Sequence, residues 1–175
     1  REKLHAGLAD AANLRTREER PGRLMLLEQY LTELHAEAVS HYLADHEIEP
    51  SSIDVIGFHG QTVLHRPEAQ LTVQLGDGPL LSRLSGRPVV YDLRAADVAA
   101  GGQGAPLAPA YHRALAAEIS GRPLVVLNLG GVANVTWIGA DGTLLAFDTG
   151  PASAMIDDWV KRTLGRPFDA DGALA

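Results

Sequence analysis

From Leu24 onward the apolar residues recur at intervals of three and four: Leu24, Leu27, Leu31, Leu34, Ala38 and Tyr42. That period predicts an amphipathic helix over 23–45. Residues 1–22 before it are mixed in polarity, with charge crowded into 15–20 and a turn signal at Pro21-Gly22. Pro50, Ser51 and Ser52 end the helical segment, and 53–58, an apolar run through Ile53, Val55, Ile56 and Phe58, reads as a short strand. His59-Gly60-Gln61-Thr62 leaves its carboxyl end, and His65, Arg66 and Pro67 close the loop. Residues 71–75 alternate as a half-buried strand does, Gly76–Pro79 turns the chain, and 80–84 suits one or two helical turns. Val89-Val90-Tyr91 then reads as a short buried strand.

The glycine turn Gly101-Gly102-Gln103-Gly104 leads to Pro106, which suits the first turn of a helix over 106–119. Gly121-Arg122-Pro123 is a second break and the expected domain boundary, giving domains 1–121 and 122–175. Beyond it, 124–127 is an apolar strand, 128–131 turns, and a second strand returns through Trp137 and Ile138. Asp141-Gly142 is a two-residue hairpin signal, so 143–147 becomes a third strand of an antiparallel meander. Asp148-Thr149-Gly150-Pro151 leaves its end, and Met155, Ile156, Trp159, Val160 and Leu164 mark a helix over 152–164, followed by a loop to 175. This order predicts an α/β chain of mixed sheets flanked by helices.

Composition narrows the function. The chain has 175 residues, 46% hydrophobic and 21% charged, ordinary for a globular domain with a real core. A net charge of −7 gives nucleic-acid binding no electrostatic support. The absence of cysteine excludes disulfides and thiolate metal sites and fits a reducing, cytoplasmic compartment. No apolar run approaches the length of a membrane span, and no signal-peptide pattern opens the chain.

The candidate chemistry sits at strand ends. Asp92, Arg94 and Asp97 follow the strand at 89–91, where ligands bind in open α/β sheets. Asp97, between that strand and the glycine turn, can act as a general base facing a sugar or phosphate, or simply cap a surface loop; Asp92, nearer the strand, reads as structural. His59 and His65 are a conceivable metal pair, but no third ligand lies nearby in sequence, and polar groups on such a rim equally bind a sugar. His35 and His41, six apart, do not share a helical face. Gly130-Gly131 after an apolar strand can cradle a phosphate or be a plain hairpin. It is neither a P-loop nor a dinucleotide fingerprint. Asp148 either meets a ligand or holds the Thr149-Gly150 turn.

Five segments in register, GFHGQTVLHRP at 57–67, TVQLGDG at 72–78, DLRAADVAAGGQGAPLAP at 92–109, VLNLGGVANVT at 126–136 and FDTGP at 147–151, resemble the anhydro-N-acetylmuramic acid kinases. That resemblance implies a partial actin-like/sugar-kinase ATPase fold. It implies an ATP-dependent kinase, with Mg2+, that opens the 1,6-anhydro ring with water and phosphorylates O6 in the recycling of cell-wall sugars. Asp97 matches the base. His59, Gln61, Gln103, Gly104 and Asp148 fall to the sugar, and Asn128, Gly130, Gly131 and Asn134 to the nucleotide, with no protein metal ligand assigned.

Asn128 stands where many superfamily members carry Asp, which favours contact through water or with phosphate over direct Mg2+ ligation. Ala152-Ser153 stands where similar kinases commonly read Gly-Asn. The partners implied are a small sugar and ATP, without nucleic acid or membrane, and with a homodimer left open. Such kinases are longer and begin with a Gly-Thr-Ser-rich phosphate loop that this sequence lacks. The chain therefore reads as an internal fragment, inactive alone. Two other readings remain: a metal-dependent hydrolase using His59, His65 and Asp97, and a non-catalytic sugar- or nucleotide-binding module.

Overall fold

The structure, a computed structural model, describes residues 2–174; Arg1 and Ala175, at the ends of the expected mixed segment and loop, lie outside them. The chain divides into two compact units, the first running to Gly104 and the second starting at Ala105. The boundary expected at 121–123 differs from this division by one helix, which packs with the second unit.

In the first unit, α1 (Glu2–Ala11) and α2 (Leu24–Asp45) precede β1 (Ile56–Phe58), β2 (Gln61–Arg66), β3 (Leu71–Leu75), α3 (Gly78–Ser85), β4 (Val89–Tyr91) and α4 (Ala95–Ala99). β1 pairs parallel with β4, Phe58 opposite Tyr91, so both strands end on one rim. β2 and β3 form a separate antiparallel hairpin with an irregularity between Thr62 and Leu64. Three expectations are corrected here: residues 2–11 are helical, 61–66 form a strand instead of a loop, and the first strand begins at Ile56.

The core of this unit gathers Ala11, Leu14, Leu24, Leu27, Val63, Val73 and Leu75, with a second cluster of Ala36, Phe58 and Leu81. Burying such side chains stabilises by roughly 1.5–3 kcal/mol each for the larger ones. The buried stripe of α2 departs from the expected one. Leu24 and Leu27 are buried, but Leu34 and Tyr42 are exposed, while Thr32, Ala36 and Leu43 turn inward. Polar anchoring explains the rotation. The Thr32 hydroxyl donates to the Glu28 carbonyl at 2.8 Å and accepts the Asp77 N–H at 3.0 Å. Glu28 accepts the Gly76 N–H at 3.0 Å and is held by both ends of the Arg20 guanidinium. His35 bonds the Leu31 carbonyl and tilts against Phe58, satisfying it within the helix. Asp77 in turn caps α3 by accepting the Leu80 N–H at 2.8 Å, one of the amides a helix start leaves unpaired.

The second unit holds α5 (Ala108–Leu115), the meander β5 (Leu124–Leu129), β6 (Val132–Ile138) and β7 (Leu144–Pro151), and α6 (Ser153–Leu164). α5 is shorter than expected, and Pro109, not Pro106, occupies its first turn. It packs on β6 and β7. The His112 ring nitrogen Nδ1 bonds the buried Thr136 hydroxyl at 2.9 Å, and Ile138 and Ala116 are buried. A hairpin forms around Asp141-Gly142 as expected, but its last strand pair is Ile138 with Leu144, so the loop covers 139–143 instead of two residues and the third strand runs over 144–151 instead of 143–147. The Thr143 amide and then its hydroxyl donate to the Asp141 carboxylate and hold its pKa below the ordinary value. On the other sheet face Val125, Leu127, Leu129, Leu145 and Phe147 are exposed.

Candidate functional site

Asp97 lies in the first turn of α4, five-residue helix and glycine loop together forming its seat. Its carbonyl accepts the N–H of Ala100 and of Gly102, and its Oδ2 accepts the Gly104 N–H at 2.7 Å. The side chain remains exposed. A carboxylate fixed by one backbone amide through one oxygen keeps its second oxygen available for a proton. Gly104 is required at this position. Its φ is +67°, and an added Cβ would come within 2.6 Å of Val98 Cγ2 and 3.3 Å of the His65 ring. Gly104 is buried, so its amide serves Asp97 instead of facing solvent, whereas Gln103 beside it is exposed.

Asp92 plays a different part. It sits just past β4 with a φ of +53° and is ion-paired with the Arg17 guanidinium. Its expected structural character has a physical basis in that pair. His59 follows β1 on the same rim as the segment after β4; its side chain is exposed and lies edge-on to His35. Gln61 opens β2, exposed, with its amide donating to the Thr62 carbonyl at 3.2 Å. His65 bonds the Thr72 hydroxyl at 3.1 Å, and among the described residues no three His, Cys, Asp or Glu side chains gather as metal ligands. The geometry therefore lends the His59/His65/Asp97 metal site no donor set.

In the second unit the ladder brings three of the candidate residues into one cross-strand row. Asn128 pairs with Asn134, and Asn134 with Asp148. This corrects two expectations, because Asn128 lies inside β5 instead of in the turn and Asp148 lies inside β7 instead of past its end. The cause is a bulge. Ala133 pairs with Gly150 while Asn134 pairs with Asp148, so Thr149 is the extra residue. Its hydroxyl donates to the Ala133 carbonyl at 3.2 Å. Strand alternation puts this row on the face that carries Thr136 and Ile138.

The Gly130-Gly131 turn caps α6. The Gly131 carbonyl accepts the N–H of Ala152 at 3.0 Å and of Ala154 at 3.2 Å, and the Gly130 carbonyl accepts the N–H of Ser153 at 3.0 Å. Ser153 also donates its hydroxyl to the Gly130 carbonyl at 2.9 Å, which ties the Ala152-Ser153 pair to the glycine turn. A Cβ added to either glycine would approach nothing closer than 3.5 Å within the chain. Those are ordinary van der Waals contacts, and Gly131 is exposed to solvent.

Sequence reasoning overlooked Gln74, which bonds both loops of the β1–β4 rim. Its Nε2 donates to the His59 carbonyl at 2.7 Å and its Oε1 accepts the Arg94 N–H at 3.4 Å. A glutamine in an alternating strand carries no sequence signal that separates it from a solvent-facing residue.

These features define a mixed α/β protein with a carboxylate seated on a glycine loop at a parallel-strand rim, and a polar row beside a glycine turn. The family model for anhydro-N-acetylmuramic acid kinase matches residues 3–175. The chain belongs to that family. It is 58% identical over 174 residues to the anhydro-N-acetylmuramic acid kinase of Methylobacterium nodulans, covering 98% of this chain and 46% of the relative. Against the kinase of Rhodopseudomonas palustris identity is 55%, covering 98% of this chain and 47% of the relative. Against that of Brucella canis it is 54%, covering 100% and 48%. The chain spans about half the length of these relatives.

Proposed function

We propose that the full-length protein containing this chain is an ATP-dependent kinase that opens the 1,6-anhydro ring of anhydro-N-acetylmuramic acid and phosphorylates O6, in the recycling of cell-wall sugars. The fold proposed is the actin-like/sugar-kinase ATPase fold. The first unit then belongs to its N-terminal domain, and the β5–β7 meander opens the second. Family membership across nearly the whole chain supports the substrate. The observation that carries the mechanism is the seat of Asp97, with one carboxylate oxygen held by the Gly104 amide and the side chain exposed.

In this reading Asp97 accepts a proton from the water that attacks C1. The new bond is C1–O(water), the bond broken is C1–O6, and O6 leaves as the phosphoryl acceptor. Such acid–base help is typically worth 10²–10⁴-fold. His59, Gln61 and Gln103 present exposed polar groups for sugar hydroxyls, and Gly104 acts through Asp97. ATP supplies the γ-phosphoryl group, and Mg2+ would neutralise its charge. The residues fit these groups. Gly131 is exposed at its turn, and Asn128 and Asn134, paired across β5 and β6, offer polar groups to phosphate or to the water shell of Mg2+, with Asp148 beside them in the row kept for the sugar. A cytoplasmic location suits ATP use; no helix among the described residues is long and apolar enough to cross a membrane. A homodimer is part of the proposal only as a state to be measured.

The test is product analysis with the full-length protein, the anhydro sugar, ATP and Mg2+. The 6-phosphorylated, ring-opened sugar is expected, carrying oxygen from labelled water at C1. Ring opening without ATP would support a hydrolase instead, and binding of sugar or nucleotide without turnover would support a binding module.

A further inference from the structure

We infer that Gln74 is a positioning residue that ties the His59 loop to the segment carrying Asp97. Its catalytic consequence rests on the kinase reading above. The parallel pairing of β1 and β4 ends at Phe58 and Tyr91, so beyond that point the strand ladder no longer holds the two loops in register. Gln74 reaches both. It accepts from Arg94, the residue that opens α4, and donates to the carbonyl of His59.

The chemistry selects the residue type. The His59 carbonyl can only accept and the Arg94 amide can only donate. A side chain that serves both at once needs a donor and an acceptor on one planar end, which an amide provides. A carboxylate lacks the donor, and an apolar side chain lacks both. The placement is firm as well. Val73 and Leu75 on either side of Gln74 are almost wholly buried, which fixes the strand and sends Gln74 to the opposite face. The same hairpin supports the Asp97 segment elsewhere: α4 packs on β3, and the Gln70 amide reaches the Ala99 carbonyl at 3.5 Å. A loss of alignment of the reacting groups at the rim lowers turnover steeply even when folding is unaffected.

The experiment compares wild type, Gln74→Met and Gln74→Glu in the full-length protein by peptide-level amide hydrogen exchange, sugar kinetics and thermal melting. Gln74→Met keeps the side-chain length and removes both bonds. It is expected to raise exchange at 59–61 and at 92–97 and to lower kcat about tenfold, with KM for the sugar changed less. Gln74→Glu keeps an acceptor for Arg94, so exchange should rise at 59–61 while 92–97 stays protected. Unchanged exchange at both loops in Gln74→Met overturns the inference. So does increased exchange spread over the whole β2–β3 hairpin, which marks a merely structural residue, and so does loop loosening with normal kcat. If wild type phosphorylates no anhydro sugar, the kinase reading fails, and the exchange pattern alone still decides whether Gln74 ties the loops.

Discussion

Arg17 and Asp92, 75 positions apart in the chain, form an ion pair that anchors the segment between α1 and α2 to the end of β4. Asp92 holds a left-handed backbone conformation there, and its Oδ1 and the Arg17 Nε are buried without a partner among the described residues. The pair is partly exposed, so breaking it should cost about 1 kcal/mol, at the level of surface pairs. Asp92→Asn is expected to lower the melting temperature modestly with turnover kept within a few-fold, since Asn tolerates positive φ. Asp92→Ala should cost about 1–2 kcal/mol more because it adds backbone strain. Denaturant melts of both variants in the full-length protein, alongside kcat, check this. A large kcat loss in a stable Asp92→Asn would show that Asp92 takes part in the chemistry.

The α2 anchor makes a second prediction. Thr32→Val removes the acceptor for the Asp77 amide in a fully buried place, at a cost of about 1–3 kcal/mol. The Asp77 amide should then exchange faster. Thr32→Ser should keep that amide protected. Equal exchange in wild type and Thr32→Val would remove the hydrogen bond from the account.

A third prediction concerns acid. Asp10 accepts from the Arg23 side chain and backbone, and the Arg23 guanidinium holds its pKa down to about 2, from 3.8. A depressed carboxylate pKa contributes stability that is full above the unfolded value and is lost as pH falls through the folded value. Protection of the Arg23 amide should therefore be constant above pH 4 and fall between about 4 and about 2. In Asp10→Asn that step should vanish. A step that survives in the variant would assign it to another carboxylate.

The uncovered meander face makes a fourth. Leu127, Leu129 and Phe147 are 56%, 70% and 57% exposed, and the apolar patch they form with Val125 and Leu145 is the kind that marks an interaction surface. Residues 1–175 expressed alone are expected to bind a hydrophobic dye strongly and to phosphorylate no sugar. Robust phosphorylation by this half-length chain would contradict the proposed division of the site.

Much of the fold was legible because local signals agreed with it. Asp141-Gly142 marked the hairpin, Val89–Tyr91 a strand, and Gly76-Asp77-Gly78-Pro79 the turn where α3 starts. The failures share a cause in tertiary contact. Residues 2–11 carry only a mixed polarity pattern, yet they are helical, and a Cβ at Gly7 would come within 2.6 Å of Leu27, so the glycine permits close packing on α2. β2 shows little alternation because only Val63 of its six residues is buried. The α2 stripe was misread because Thr32 turns inward to hold the Asp77 turn. In the site, Asp97 stood out from strand and glycine pattern together. The Asn128, Asn134 and Asp148 row depends on a bulge at Thr149, which nothing in the local sequence announces.

The most direct measurement is the turnover of Asp97→Asn in the full-length protein. Asparagine keeps an oxygen that can accept the Gly104 N–H, so the loop should hold its shape while the proton acceptor is lost. The expected result is a fall in kcat of at least about 10²-fold, sugar affinity within a few-fold of wild type, and an unchanged melting temperature. Near-normal turnover in a folded Asp97→Asn protein would contradict the assignment and leave Asp97 as the cap of its glycine loop.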